Sequence, residues 1–168
     1  MTAQPKLNLP SSLRNEMARL VRSGLIILPL GGNDGKSPLL RNWAASPPPL
    51  GQSFAVMSRT GSLAFGIRLD GLVVLDFDTQ DLELVAQIEA RFGTASVQVQ
   101  TPRGFHLYYA AGDYLPALRA EGLPIDVKSG PHAYAVAPPS VRPDGGLYAY
   151  AKGDLSVSRL RPLRASAG

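Results

Sequence analysis

The chain contains no cysteine. This absence excludes disulfide bonds, thiolate zinc sites and cysteine nucleophiles, and with them any cysteine-based zinc module within these residues. The sequence also lacks a run of about 18 uncharged apolar residues, so we expect no membrane association through a spanning helix. Its first residues lack the apolar run of a signal peptide, and we therefore expect a cytoplasmic protein.

Charged residues are few, at 18%, whereas hydrophobic residues make up 45% of the 168 positions. This balance excludes a disordered chain and predicts one domain over residues 1–168, with a core at about 12–150 and a short basic tail at 151–168. The net charge of +4 permits a polyanionic partner without requiring one. Thirteen of the basic residues are arginine and four are lysine, and arginine suits bidentate phosphate contacts.

Hydrophobic periodicity predicts short helices and strands in alternation with hairpins. Ser11 and Ser12 are suited to cap a first helix, and Asp70-Gly71 is typical of a two-residue hairpin turn between apolar strands. The predicted helices span residues 11–23 and 80–92; the predicted strands span residues 25–30, 54–58, 63–69, 72–75, 96–100, 105–110, 125–128 and 133–137. Hairpins are as frequent as strand–helix alternations, which indicates an α+β fold with a mixed sheet.

Asp76 and Asp78 follow four apolar residues at the end of a predicted buried strand. Alternate strand residues point to the same side, so both carboxylates are expected to share one face. Paired oxygen ligands of this kind suit a divalent ion such as Mg²⁺ or Mn²⁺. The simpler interpretation is a pair of solvated acids at a strand end.

Two further segments carry candidate binding residues. His106 lies inside an apolar strand just after the turn that holds Arg103, and the two are suited to bind a triphosphate. The alternative is a buried histidine satisfied by a backbone carbonyl. Asp126 lies between apolar residues, with Lys128 two positions on, and a charge in that setting usually has a partner or a metal. The alternative is a structural ion pair of Asp126 with Lys128 or with an arginine.

Two local matches to other enzyme classes fail on spacing. Residues 31–37 (GGNDGKS) resemble a phosphate-binding P-loop, but only three residues separate Gly31 from the Gly-Lys pair where that motif needs four. A solvated loop lysine is the simpler interpretation of Lys36. Residues 76–80 (DFDTQ) resemble the haloacid-dehalogenase-like phosphatases, yet Gln80 stands where that pattern needs Thr or Val.

Taken together and in order, these segments resemble the prim-pol family of the archaeo-eukaryotic primase superfamily. Residues 24–43 are similar to the family's opening, and residues 66–78 (GIRLDGLVVLDFD) to its first motif, the metal-binding acidic pair. Residues 101–109 (TPRGFHLYY) resemble the second motif, whose histidine contacts the phosphates of the incoming nucleotide. Residues 125–128 (IDVK) and 134–140 (YAVAPPS) resemble the third.

The resemblance implies a fold with an RRM-like catalytic lobe and a small N-terminal α/β lobe. It further implies a metal-dependent nucleotidyltransferase, a DNA primase or DNA polymerase of a plasmid, phage or mobile element. Asp76, Asp78 and Asp126 would hold two Mg²⁺ or Mn²⁺ ions, which activate the 3′-hydroxyl and hold the triphosphate. His106, Arg103 and Lys128 would grip that triphosphate. The expected partners are a single-stranded DNA template and nucleoside triphosphates.

The sequence departs from the family pattern at a few points. Gly130-Pro131-His132-Ala133 replaces a common Gly-Gly, so His132 is expected to mark a variant turn. Gly104 replaces a serine, which removes a hydroxyl contact. The helical segment or helicase that often follows the core is not seen, so nucleotide transfer is expected more than independent priming, with a helicase in trans as a further partner.

Three other function classes stay open. They are a catalytically silent module that binds nucleotide or nucleic acid, a metal-dependent phosphatase or nuclease using the same carboxylates, and a replication or defence accessory subunit that acts through a helicase.

Overall fold

The structure is a computed structural model that describes residues 9–155 and 160–164. Its helices pack against one sheet. The helices are α1 (Ser11–Arg22), α2 (Leu50–Thr60) and α3 (Leu82–Phe92), with a 3-10 helix at Arg119–Glu121. The strands are β1 (Ile27–Gly31), β2 (Ser37–Pro38), β3 (Ala64–Phe77), β4 (Val97–Gln100), β5 (Phe105–Ala110), β6 (Ile125–Val136) and β7 (Ala149–Lys152). The predicted α+β class is confirmed.

Strand β3 is the centre of the sheet. Its first half pairs with β1 and its second half with β5, while β6 pairs with both halves. The sheet order is β2-β1-β3-β5-β4-β7, and β6 lies off this path beside β3. All pairings between these strands are antiparallel, which differs from the mixed sheet we expected. The reason is that β5 lies between β3 and β4, so the two strands joined by α3 are not neighbours.

The predicted hairpin at Asp70-Gly71 is wrong. The chain continues through these residues in one strand, β3, and the β6 register shifts there as at a bulge. Gly71 has φ of 68°, a value open to glycine, which suits this irregularity as well as a turn. Asp70 accepts from the Arg68 Nε at 2.6 Å. Pairing with β6 on both sides of the bulge keeps the two halves of the strand in line, and the predicted strands at 125–128 and 133–137 likewise merge into β6.

The strand predicted at residues 54–58 is also wrong, since these residues lie in α2. Four apolar residues in a row do not distinguish a strand from a buried helical turn. The wider spacing does: Ser53, Val56 and Met57 form the buried side of the helix.

In α1, which begins at Ser11, the N-cap residue is Pro10 and no side chain caps the helix, so the predicted serine cap is not formed.

Alternation along β3 divides the core between the two faces of the sheet. Val73, Leu75 and Phe77 pack with α3, whereas Leu72 and Val74 pack with the cluster that includes α1. Asp76 follows the second register, so it lies on the face opposite α3. Within the described residues no helix is long and apolar enough to cross a membrane.

The C-terminal part of the described chain lies against the sheet. Lys152 ends strand β7, and Leu163 is buried in the cluster beneath α3. The Ala110 amide donates to the Arg161 carbonyl at 2.9 Å. The boundary between core and tail at residue 151 stays a prediction, as does the division into two lobes.

Candidate active site

Three of the residues singled out in the sequence form a row across the centre of the sheet. Asp76 on β3 is the register partner of His106 on β5 and of Asp126 on β6. Directly opposed residues of antiparallel strands project to the same face. The antiparallel order therefore brings together side chains that are 30 and 50 positions apart in the sequence.

Asp76 is held by two cationic or donor groups. The Lys128 Nζ donates to its Oδ2 at 2.9 Å, and the His106 Nε2 lies 3.4 Å from its Oδ1. Burial alone raises the pKa of the Asp76 carboxyl, but His106 and Lys128 outweigh burial and hold that pKa well below its usual range. Asp76 is thus an ionised carboxylate in a largely buried place.

Asp78 and Asp126 share a different partner. The Arg119 Nε donates to Asp126 Oδ1 at 2.7 Å, and its Nη2 donates to Asp78 Oδ2 at 3.2 Å. Bonds to Asp126 and then to Asp78 raise the pKa of the Arg119 guanidinium. About half of each of these three side chains is exposed. One positive group therefore reaches both carboxylates from the 3-10 helix. The arginine alternative weighed for Asp126 is the ion pair observed here.

A cleft of about 390 Å³ opens over this row. Five of the residues singled out in the sequence line it: Asp76, Asp78, Arg103, His106 and Lys128. Asp126 is not among the lining residues, because its side chain turns to Arg119. The structure thus brings together the acidic pair and the expected phosphate ligands, and sets the third acid at the side.

Further lining residues carry cations or rings to which the sequence gave no firm role. They are Lys36, His132, Tyr134, Arg142 and Tyr148. Lys36 lies in the stretch rejected as a P-loop, and His132 at the variant turn after the third motif. Arg142 comes two residues after the Pro-Pro-Ser close. The only sequence signal for these lining residues is their position in or next to the motifs.

Lys36 is held over the cleft by its backbone. The Tyr134 hydroxyl donates to the Lys36 carbonyl, and the Lys36 amide donates to Asp34 Oδ1 at 2.9 Å. Trp43 packs edge-on against Tyr134 with ring centroids 5.1 Å apart. No helix begins near Lys36, since α2 starts at Leu50, so the loop lacks the helix N-terminus that a P-loop needs.

His106 is buried between rings. Its ring centroid lies 6.3 Å from that of Tyr108 and 6.2 Å from that of Tyr148. Its Nδ1 is buried and has no hydrogen-bond partner in the described part of the chain. The alternative of a histidine satisfied by a backbone carbonyl is therefore not what the structure holds. The Nε2 edge faces Asp76.

Gly104 has a steric reason to lack a side chain. A Cβ there would lie 1.9 Å from the Phe77 carbonyl oxygen. The turn before β5 is closed by two bonds: the Gly104 amide donates to Thr101 Oγ1 at 2.9 Å, and the Thr101 amide donates to the Gly104 carbonyl at 3.0 Å. The turn thus packs backbone to backbone against the residues that carry the acidic pair.

The carboxylates supply hard oxygen ligands of the type that Mg²⁺ and Mn²⁺ prefer. In the part of the chain that the structure describes, no three His, Asp or Glu side chains form a ready metal cluster. Asp78 and Asp126 nevertheless converge on one cation, the Arg119 guanidinium. The donor set fits a divalent ion at that position, provided that Arg119 leaves it.

Comparison with known proteins identifies the family. A search of curated proteins finds no match to the chain. A model of the Prim-Pol family, described as "Bifunctional DNA primase/polymerase, N-terminal", matches residues 17–165. That family implies DNA primase or polymerase activity on DNA and nucleotide substrates. Because the match covers nearly the whole sequence, the chain belongs to the Prim-Pol family.

Proposed function

We propose that this protein is a metal-dependent nucleotidyltransferase that joins nucleotides on a single-stranded DNA template. The observation that carries the proposal is the row of His106, Asp76 and Asp126 across the sheet, of which His106 and Asp76 line a cleft together with several cationic residues. A triphosphate needs cations around it, and its transfer needs carboxylate-held metal beside it. The replication of a plasmid, phage or other mobile element, with a helicase in trans, is the setting we propose.

Asp76, Asp78 and Asp126 would hold Mg²⁺ or Mn²⁺. When bound, the metal would lower the pKa of the attacking 3′-hydroxyl and offset the charge of the leaving pyrophosphate. His106 and Lys128 keep the Asp76 carboxyl ionised. The buried strands around Asp76 keep its carboxylate in place, so little reorganisation is needed as charge develops.

The triphosphate would lie in the cleft against its free cations. Arg103 and Lys36 line the cleft, and neither forms a side-chain ion pair within the described residues. Lys128 lines it too, but its charge is partly offset by Asp76. Arg103 and Lys36 are therefore the stronger anion ligands. His106 also lines the cleft, and its Nε2 lies 3.4 Å from Asp76 Oδ1.

The test is incorporation of labelled nucleotides on single-stranded DNA, with and without a primer, in Mg²⁺ and in Mn²⁺. We expect products from the native chain and none from the folded variant Asp76→Ala, Asp78→Ala. A matched control, Glu83→Ala with Asp113→Ala, removes two exposed acids outside the cleft and should stay active.

Each result separates the classes that stay open. Products without primer indicate a primase, and products only with primer indicate a polymerase. Release of phosphate instead of pyrophosphate would indicate a phosphatase, and shortening of the labelled DNA would indicate a nuclease. Activity retained by the Asp76→Ala, Asp78→Ala variant would overturn the assignment of the acids, and binding without product would favour a silent binding module.

A further inference from the structure

Arg142 has a fixed backbone and a poorly satisfied side chain. It follows β6 in a loop that is pinned on both sides: the Val141 amide donates to the Leu63 carbonyl at 2.9 Å, and the Arg142 amide donates to the Gly146 carbonyl at 2.8 Å. The Gly145 amide returns a bond to the Arg142 carbonyl at 2.9 Å. The guanidinium is thus presented from a rigid base.

The side chain is 15% exposed, yet its only ion pair in the described residues is weak. The Arg142 Nη2 lies 3.4 Å from Asp144 Oδ2, and that carboxylate is 63% exposed. The Arg142 Nε is buried and has no hydrogen-bond partner among the described residues. A buried donor without an acceptor is costly. The guanidinium therefore has hydrogen-bonding capacity that its protein neighbours do not use.

Arg142 also lies where two clefts meet. A second cleft, of about 490 Å³, runs between the β1–β2 loop and the Arg142 loop. Arg142 lines both clefts, and it is the one charged residue among the described residues that line the second. Several glycines line that cleft: Gly31, Gly32, Gly35, Gly61 and Gly145. With no carboxylate among these residues, the second cleft suits an anionic ligand.

Tyr148 links Arg142 to the catalytic row. Burial raises the pKa of the Tyr148 hydroxyl, and both the charge of Arg142 and a side-chain hydrogen bond with Arg142 oppose that rise. The Tyr148 ring also lies near His106, at 6.2 Å between centroids. A group bound at Arg142 is therefore separated from His106, a member of the row that contains Asp76, by the Tyr148 side chain.

We propose that Arg142 binds a phosphate group at the junction of the two clefts. This inference deepens the proposed nucleotidyl transfer and rests on it. The planar guanidinium matches a phosphate with two parallel N–H donors, which a lysine does not. The phosphate belongs either to the nucleoside triphosphate or to the DNA strand, and the two sources are separable by experiment.

The experiment measures binding without divalent metal, so that it does not depend on catalysis. Affinities for a fluorescent deoxynucleoside triphosphate and for labelled single-stranded DNA are measured for the native chain, Arg142→Met and Arg142→Lys. The methionine keeps the apolar stem and removes the charge. Arg22→Ala is the matched control, because Arg22 is exposed on α1 and lines neither cleft. Thermal unfolding shows which variants are folded.

We expect Arg142→Met to weaken at least one ligand about ten-fold, as for loss of a charged hydrogen bond. Arg142→Lys should lose less, and it serves in place of the methionine variant if that variant does not fold. If only the nucleotide is affected, the triphosphate is the ligand. If only DNA is affected, the strand is the ligand, and the slope of log affinity against log salt should fall by about 0.7.

The failures are distinguishable. If the native chain binds both ligands and the folded Arg142 variants bind them as tightly as Arg22→Ala does, the role of Arg142 is refuted while the proposed function stands. If the native chain binds neither ligand, the proposed function itself fails.

Discussion

Gly104→Ala tests most directly how the sheet positions the acidic pair. A Cβ at residue 104 would lie 1.9 Å from the Phe77 carbonyl oxygen and 2.8 Å from that of Thr79. These atoms belong to the residues on either side of Asp78. Real Cβ atoms do not approach closer than 3.0 Å, so the two segments must separate by about 1 Å. Backbone cannot rotate away as a flexible side chain does.

The expected cost follows from this displacement. Overpacking of this kind costs about 1–3 kcal/mol. For a chain of this size each kcal/mol lowers the melting temperature by about 2–4 °C, so we expect a loss of about 2–12 °C. A shift of about 1 Å in a catalytic group can reduce turnover about 100-fold. Activity should therefore fall much further than stability at the assay temperature.

Calorimetric melting and primer extension measure the two effects. Gly51→Ala is the matched control: it lies in the first turn of α2, and no atom is within 4 Å of a Cβ there. That change should leave activity intact and stabilise by up to about 1 kcal/mol. If Gly104→Ala melts and extends primers as the native chain does, the backbone contact does not position Asp78.

Two further predictions concern the charges of the site. Arg119→Ala should tighten Mn²⁺ binding a few-fold, as measured by calorimetric titration, because the guanidinium competes with the metal for Asp78 and Asp126. The control is Arg91→Ala, which removes an ion pair with Glu121 of the same 3-10 helix. Equal Mn²⁺ affinities in the two variants would contradict the competition. Folding lowers the pKa of Asp76, so the ionised carboxylate stabilises the folded protein. This stabilisation is complete above the pKa of Asp76 in the unfolded chain, near 4, and it is lost as the pH falls from there towards the pKa in the folded protein. In metal-free urea unfolding, Asp76→Asn should cost about 1–3 kcal/mol at pH 6 and less at pH 3; a difference independent of pH would refute this.

Much of the sheet could be predicted because its signals are local. The apolar run before Asp76 and the alternation of residues 97–100 both appear as strands. The partners of Asp76 could not be predicted in the same way. They depend on the register of β3 with β5 and β6, which is set by pairs of residues 28 to 70 positions apart. The sequence thus indicates which residues are candidates, and the register decides which of them meet.

The wrong predictions of a hairpin at Asp70-Gly71 and of a strand at residues 54–58 also arise from long-range contacts. Asp70-Gly71 is a strong local turn signal, yet β6 pairs on both sides of it and holds β3 in one strand. The residues 54–58 form a strand-like apolar run, yet their burial against the core follows a helical spacing. In both places a short-range preference is outweighed by packing with distant residues.

The cations of the cleft include residues that sequence motifs do not identify. The sequence predicts Lys128, inside a strand, as a phosphate ligand, but Asp76 offsets its charge at 2.9 Å. Lys36 and Arg142 lie in loops, and each loop is held to the rest of the fold by a long-range bond, from the Tyr134 hydroxyl to Lys36 and from the Val141 amide to the Leu63 carbonyl. Such bonds leave no periodic trace in a sequence. Because the loop cations are the less compensated ones, they should contribute more to phosphate affinity than the strand lysine does.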